Sequence, residues 1–144
     1  MKIAMIGSGY VGLVSGVCFA ELGHEVTCVD KDKAKIEDLN NGVVPIYEQC
    51  LDDLLAKNIG SGRLSFTCDL KIALQGVEAV FIAVGTPNRR GDGHADLSYV
   101  YKTVEEIAVN LKGYAVIVTK STVPVGTNRA VKEILNRLRT DIEV

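Results

Sequence analysis

The stretch Lys2-Ile-Ala-Met-Ile6, Gly7-Ser-Gly9-Tyr-Val-Gly12 opens the chain and sets the reading of everything after it. A short apolar run stopped by glycine predicts a buried strand. Behind it Val11, Val14, Cys18 and Leu22 recur near helical spacing until Gly23, so they are expected to form the inner side of a helix. Glu25-Val-Thr-Cys-Val29 is a second β-rich run, and Asp32 is placed to cap a further helix with Ile36 and Leu39 on its apolar side. The unit is strand, helix, strand, helix.

Working outward, the chain turns between Asn40 and Pro45, and Leu51, Leu54 and Leu55 predict a short helix running toward Gly60. Arg63 to Thr67 reads as a strand and Leu70 to Leu74 as a short helix. Ala79-Val-Phe-Ile-Ala-Val84 is apolar enough for burial on both faces, which places it in the middle of a parallel sheet. After Asp96, the residues Leu97, Val100, Tyr101, Val104, Ile107, Ala108 and Leu111 follow the i, i+3, i+4, i+7 pattern of a helix. Ala115 to Thr119 is expected to be the next buried strand. Val131, Ile134, Leu135 and Leu138 mark a last helix beyond Pro124 and Gly126, and Asp141 to Val144 reads as the start of a strand cut short. Strands alternating with helices imply an α/β fold of the Rossmann type: a doubly wound, mainly parallel sheet with helices on both faces. The expected organisation is a single domain over residues 1–144.

Composition agrees with one domain. The chain has 144 residues, 47% of them hydrophobic, and its 16 basic and 18 acidic residues give a formal net charge of -2. That balance offers no electrostatic reason for a nucleic-acid or anionic-membrane partner. The N-terminus lacks the layout of a signal peptide and no apolar run is long enough to span a bilayer, so a cytoplasmic protein is expected. Cys18, Cys28, Cys50 and Cys68 have neither zinc-site nor disulfide spacing, and reduced, mostly buried thiols are the expectation. His24 and His94 are far apart in sequence with no ligand cluster around them, so no metal site is predicted.

Gly7-Ser-Gly9-Tyr-Val-Gly12 matches G-x-G-x-x-G where that pattern has a mechanism, directly after a strand and opening a helix. Gly7 permits the tight turn, Gly9 lets the backbone approach a pyrophosphate, and Gly12 lets helix and strand pack closely. The backbone N–H groups of Tyr10 and Val11 would face the anion. Asp30 ends the second strand, where a carboxylate accepts hydrogen bonds from ribose hydroxyls and repels a 2′-phosphate, favouring NAD over NADP. The competing reading is that Asp30 caps the next helix, with Lys31, Lys33 and Lys35 able to soften the repulsion.

Three further segments, Pro45-Ile-Tyr-Glu48, Val84-Gly-Thr-Pro87 and Lys120-Ser-Thr-Val-Pro-Val-Gly126, stand with the glycine motif in a pattern that resembles the UDP-glucose/GDP-mannose dehydrogenase family over nearly the whole chain. Gly-Asp-Gly-His-Ala-Asp96 is more similar to its UDP-glucose members. The resemblance implies that Tyr10 and Val11 contact the pyrophosphate of NAD through the backbone, that Asp30 and Lys35 bind the adenosine ribose, and that Thr86 and Thr122 lie along the cofactor toward its nicotinamide. Both threonines follow apolar strands, where ligands of open parallel sheets bind. The plainer reading is that their hydroxyls stabilise turns ahead of Pro87 and Pro124. The chain departs from the family where Gln49-Cys50 replaces the usual Pro-Gly, which predicts a local loop change. Cys50, with no base placed beside it, is expected to be a small core residue and not a nucleophile. Arg89 and Arg90 are read as part of a solvated loop, not as phosphate ligands.

Enzymes of the resembled family oxidise C6 of a nucleotide sugar twice with two NAD, through a cysteine-bound intermediate that water hydrolyses. The resemblance therefore implies UDP-glucose as substrate, with a GDP-mannose or UDP-N-acetyl-sugar as the alternative, and a homodimer in the full-length protein. The family's cysteine, lysine and glutamate fall beyond residue 144, so the chain reads as a fragment that binds NAD without turning over. Thr122 is its single candidate catalytic residue. A free-standing NAD-sensing module is the contrasting class. A hydroxy-acid or acyl-thioester dehydrogenase would leave the other segments unexplained.

Overall fold

The computed structural model describes residues 1–89 and 94–141. Five strands, β1 (Lys2–Ile6), β2 (Glu25–Val29), β3 (Leu64–Thr67), β4 (Ala79–Ile82) and β5 (Val116–Thr119), form one sheet in the order β3-β2-β1-β4-β5. All four pairings are parallel, with Met5 opposite Cys28 on one side and Phe81 on the other. The connections are helical: α1 (Tyr10–Glu21), α2 (Lys33–Asn40), α3 (Leu51–Gly60), α4 (Leu70–Ala73) and α5 (Ser98–Asn110), with α6 (Thr127–Leu138) after β5. The expected α/β architecture is the one observed. Chain order reverses between β1 and β4, and there the carboxyl ends of the strands open a crevice.

The pleat sorts the core into two layers. Ile3, Met5, Val26 and Cys28 point to the face covered by Leu13 and Val17 of α1, Leu39 of α2 and Leu55 of α3. Ala4, Ile6, Val80 and Ile82 point to the other face, under Val100, Val104 and Ile107 of α5 and Val131 and Leu135 of α6. The inner face of α1 is not the expected one. Gly12, Leu13, Gly16, Val17 and Ala20 are buried, whereas Val11, Cys18 and Leu22 are exposed and only Val14 of the predicted stripe is half-buried. Apolar residues surround this helix, so periodicity has no phase to read, and the glycines decide which side lies down. A Cβ at Gly16 would sit 2.7 Å from Cys28 Sγ, so only a bare backbone fits this close to the sheet.

Two other expectations are corrected. β5 is the sheet edge, with Val116 exposed and Ile117 to Thr119 half-buried, so it is not a buried strand. Only Cys28 is a buried thiol; Cys18, Cys50 and Cys68 are exposed. Burial pushes Cys28 up to about 12, which keeps it protonated. Capping matches the sequence at α2, where Asp32 accepts from Ala34 N and Lys35 N at 3.1 and 3.2 Å. Asp96 lies one residue further out than a cap, accepting from Ser98 N at 3.0 Å ahead of the N-cap Leu97. Arg90 and the expected terminal strand from Asp141 lie outside the described residues, except for Asp141 itself, which is in a turn.

Cys50 is not a core residue because it is part of a turn. Leu51 N donates to Glu48 O at 3.2 Å, and Cys50, at φ 63 and ψ 5, is the one described non-glycine residue with positive φ. Those angles belong to the third position of a type II turn, which favours Pro then Gly in the two middle places. Gln49 and Cys50 thus occupy a backbone suited to Pro-Gly. Relief of the left-handed strain, about 1–2 kcal/mol, exceeds the cost of the freer unfolded chain, about 0.5–1 kcal/mol. Cys50→Gly should therefore stabilise the protein by roughly 0.5–1 kcal/mol, read as a higher urea midpoint with an unchanged slope.

Candidate functional site

A cavity of about 390 Å³ occupies the crevice at the carboxyl ends of β1, β2 and β4. Gly7 and Gly9, Asp30 and Lys35, and one flank of α5 all line it. The turn is built by close approach. Gly7 has φ 101 and donates to Val29 O at 2.8 Å, and a Cβ on Gly12 would lie 1.8 Å from Gly7 O. A Cβ at Gly9, in contrast, would meet nothing within 4 Å, so the protein itself does not require glycine there. Space left open over the first turn of a helix, beside its exposed N–H groups, suits a phosphate. The Ser8 side chain is buried in the same turn, and its hydroxyl has no protein partner.

Asp30 sits at the centre of the polar wall. Its Oδ2 accepts from Ser8 N at 3.0 Å and from Lys35 Nζ at 2.9 Å, and its Oδ1 accepts from Asp32 N at 3.1 Å. Burial alone would raise its pKa, but the hydrogen bonds from Lys35, Asp32 and Ser8 outweigh that and hold it below the ordinary 3.8. It is a carboxylate at neutral pH. Asp32, not Asp30, supplies the side-chain cap of α2, so the capping alternative does not account for Asp30. With about four lone-pair sites and three donors satisfied, the carboxylate retains room for a ribose hydroxyl. The cavity's apolar lining includes Val29, Leu70 and Val84, which suit the faces of a flat base. The donor set therefore fits an adenine dinucleotide.

The threonines meet one another. Thr86 Oγ1 donates to the Thr122 carbonyl at 3.0 Å, and Ser121 Oγ donates to Val84 O at 2.7 Å, so the segments after β4 and β5 are joined. The turn at Pro124 is held by Thr127, whose hydroxyl donates to Pro124 O at 2.7 Å, while Thr122 is exposed. Neither threonine lines the cavity itself. Tyr10 is exposed and hydrogen-bonds Glu48. Arg89 is exposed and its backbone N–H donates to His94 O at 2.7 Å. Among the described residues no group of three His, Cys, Asp or Glu could hold a metal.

Sequence reasoning missed the α5 wall. Tyr99, Lys102, Thr103 and Glu106 line the cavity, and Glu106 Oε1 pairs with Lys31 Nζ at 3.0 Å. These four residues share one flank of α5, next to the apolar stripe that drew attention. The signal was the buried Thr103 beside Val104, a polar residue on the inner face.

Two outcomes follow from this geometry. Gly12→Ala forces backbone against backbone and should cost about 3 kcal/mol or more, seen as loss of cooperative unfolding at room temperature. Lys35→Met removes the main group depressing Asp30. A lowered carboxyl pKa contributes stability above the unfolded value of about 3.9 and loses it as pH falls through the lower folded value. Urea unfolding should accordingly show Lys35→Met less stable than wild type at pH 7, with the gap closing below about pH 4.

The comparisons with known proteins identify the family. The model of the UDP-glucose/GDP-mannose dehydrogenase family, NAD binding domain, matches residues 1–144. A UDP-glucose 6-dehydrogenase of Rhizobium meliloti is 62% identical over 144 residues, covering 100% of this chain and 33% of that protein. A solved GDP-mannose dehydrogenase from Pseudomonas aeruginosa superposes with TM-score 0.90 at 37% identity, over 96% of this chain and 32% of its own. A UDP-glucose dehydrogenase from Pyrobaculum islandicum gives TM-score 0.84 at 40% identity, over 92% of this chain and 32% of its own. The chain thus spans about a third of the length of the relatives it matches. With the family model matched over residues 1–144 and relatives of 37–62% identity sharing the sequence and the fold, the chain belongs to the UDP-glucose/GDP-mannose dehydrogenase family and is its NAD-binding domain.

Proposed function

We propose that this domain binds NAD with the pyrophosphate over Gly9, Tyr10 and Val11 and the adenosine ribose on Asp30 and Lys35. The observation that carries the reading is that the glycine turn and the Asp30 carboxylate face one cavity at the switch point of the sheet. Gly7 and Gly12 shape the turn. Thr86 and Thr122, joined at the ends of β4 and β5, lie along the nicotinamide half, with the Thr122 hydroxyl toward the reacting centre. Bound there, NAD supplies a hydride acceptor. The chain's own residues bind and orient it.

In the full-length protein this domain would serve an NAD-dependent UDP-glucose 6-dehydrogenase. Its overall reaction is UDP-glucose, two NAD and water to UDP-glucuronate and two NADH, with nucleophile and base supplied by residues outside this chain. The 62% identity across the whole chain favours UDP-glucose over GDP-mannose or a UDP-N-acetyl-sugar. A homodimer working in the cytoplasm is the matching setting, and no helix among the described residues is long and apolar enough to cross a membrane.

Calorimetric titration of the chain should show NAD binding, with NADP at least about tenfold weaker and the preference lost in Asp30→Ala, since a tenfold ratio is about 1.4 kcal/mol. A folded chain with no affinity for NAD would sink the reading. Full-length protein should then reduce NAD with UDP-glucose faster than with GDP-mannose.

A further inference from the structure

The Tyr10 hydroxyl donates to the Glu48 carboxylate, joining the first residue of α1 to the segment between α2 and α3. Three independent features make that contact more than an incidental surface pair. First, α1 starts without local help. Its N-cap Gly9 makes no side-chain cap, as is also so at α3, α5 and α6, whereas α2 and α4 begin under Asp32 and Asp69. Second, Glu48 is held from both sides. Val44 and Ile46 pack against the core just before it, and the Glu48–Leu51 turn with its left-handed Cys50 follows directly. A strained backbone persists where its surroundings over-determine it, and such strain concentrates at ligand clamps. Third, the tyrosine ring is about half exposed and belongs to neither core layer, so packing does not require the contact.

We propose that Glu48 is a positioning residue for the cofactor. Through the Tyr10 phenol it fixes the opening residue of α1, whose backbone N–H is directed at the pyrophosphate. The phenol stands a ring's length from its own Cα, so the carboxylate restrains the turn without bringing its charge onto the anion site. Electrostatics agrees with the contact, since the hydrogen bond and charge of Glu48 raise the Tyr10 pKa and keep the donating proton in place. This inference rests on the NAD-binding reading above and adds to it a residue outside the glycine motif.

The test is calorimetric titration of NAD into the wild-type chain, Glu48→Ala, Glu48→Gln, Tyr10→Phe and the Glu48→Ala/Tyr10→Phe double variant. Tyr10→Phe removes one oxygen from an exposed ring, so it tests the contact without endangering the fold. Glu48→Ala and Tyr10→Phe should each weaken NAD about tenfold, the scale of one hydrogen bond to a charged group. The double variant should be no weaker than either, and Glu48→Gln, which keeps an acceptor, should stay within roughly threefold of wild type. A phenol that titrates late in wild type should shift down in Glu48→Ala and vanish in Tyr10→Phe. Wild-type binding with Glu48→Ala or Tyr10→Phe within about twofold of it overturns the inference alone. A folded wild-type chain that binds no NAD instead overturns the parent reading, and this one falls with it.

Discussion

The contact on which the rest depends is the one between Gly12 and Gly7, where helix backbone lies directly on turn backbone. A methyl group there would sit 1.8 Å from a carbonyl oxygen. That approach sets the distance of α1 from the sheet, which is why Gly16 must also lack a side chain over Cys28. It also sets the direction in which the helix opens. A helix one methyl further from β1 would aim its N–H groups past the crevice and leave a gap in the layer formed by Leu13 and Val17.

Charge is arranged around this steric frame. Asp30 is half-buried, and its negative charge is matched by a lysine and two backbone N–H groups, one of them from Ser8 in the glycine turn. The turn and the acidic residue are therefore a single hydrogen-bonded unit, although 22 residues separate Ser8 and Asp30. The carboxylate holds the turn, and the turn lowers the carboxylate's pKa.

Most of this fold was legible because its signals are local. Strand runs such as Ala79 to Val84, the Asp32 cap and the α5 stripe each depend on a few neighbouring residues, and glycine with Asp30 marks the site for the same reason. What failed depended on position within the assembled sheet. Nothing in Val116 to Thr119 says that β5 is an edge, since an apolar strand reads alike in the middle and at the margin. The phase of α1 was hidden by apolar residues all round it. The Gln49-Cys50 pair looked like a changed loop, yet the turn keeps angles that suit Pro-Gly. The α5 wall and the Tyr10–Glu48 contact join segments far apart in the chain, so no spacing rule reveals them.

The Lys31–Glu106 pair joins the end of β2 to α5 beside the cavity, and both side chains remain substantially exposed. An ion pair of that kind contributes about 0–1 kcal/mol and is screened by salt. Crossing so low a threshold takes little more than thermal energy, so the Lys31–Glu106 pair is a loose latch on this side of the cavity, and one that weakens as ionic strength rises.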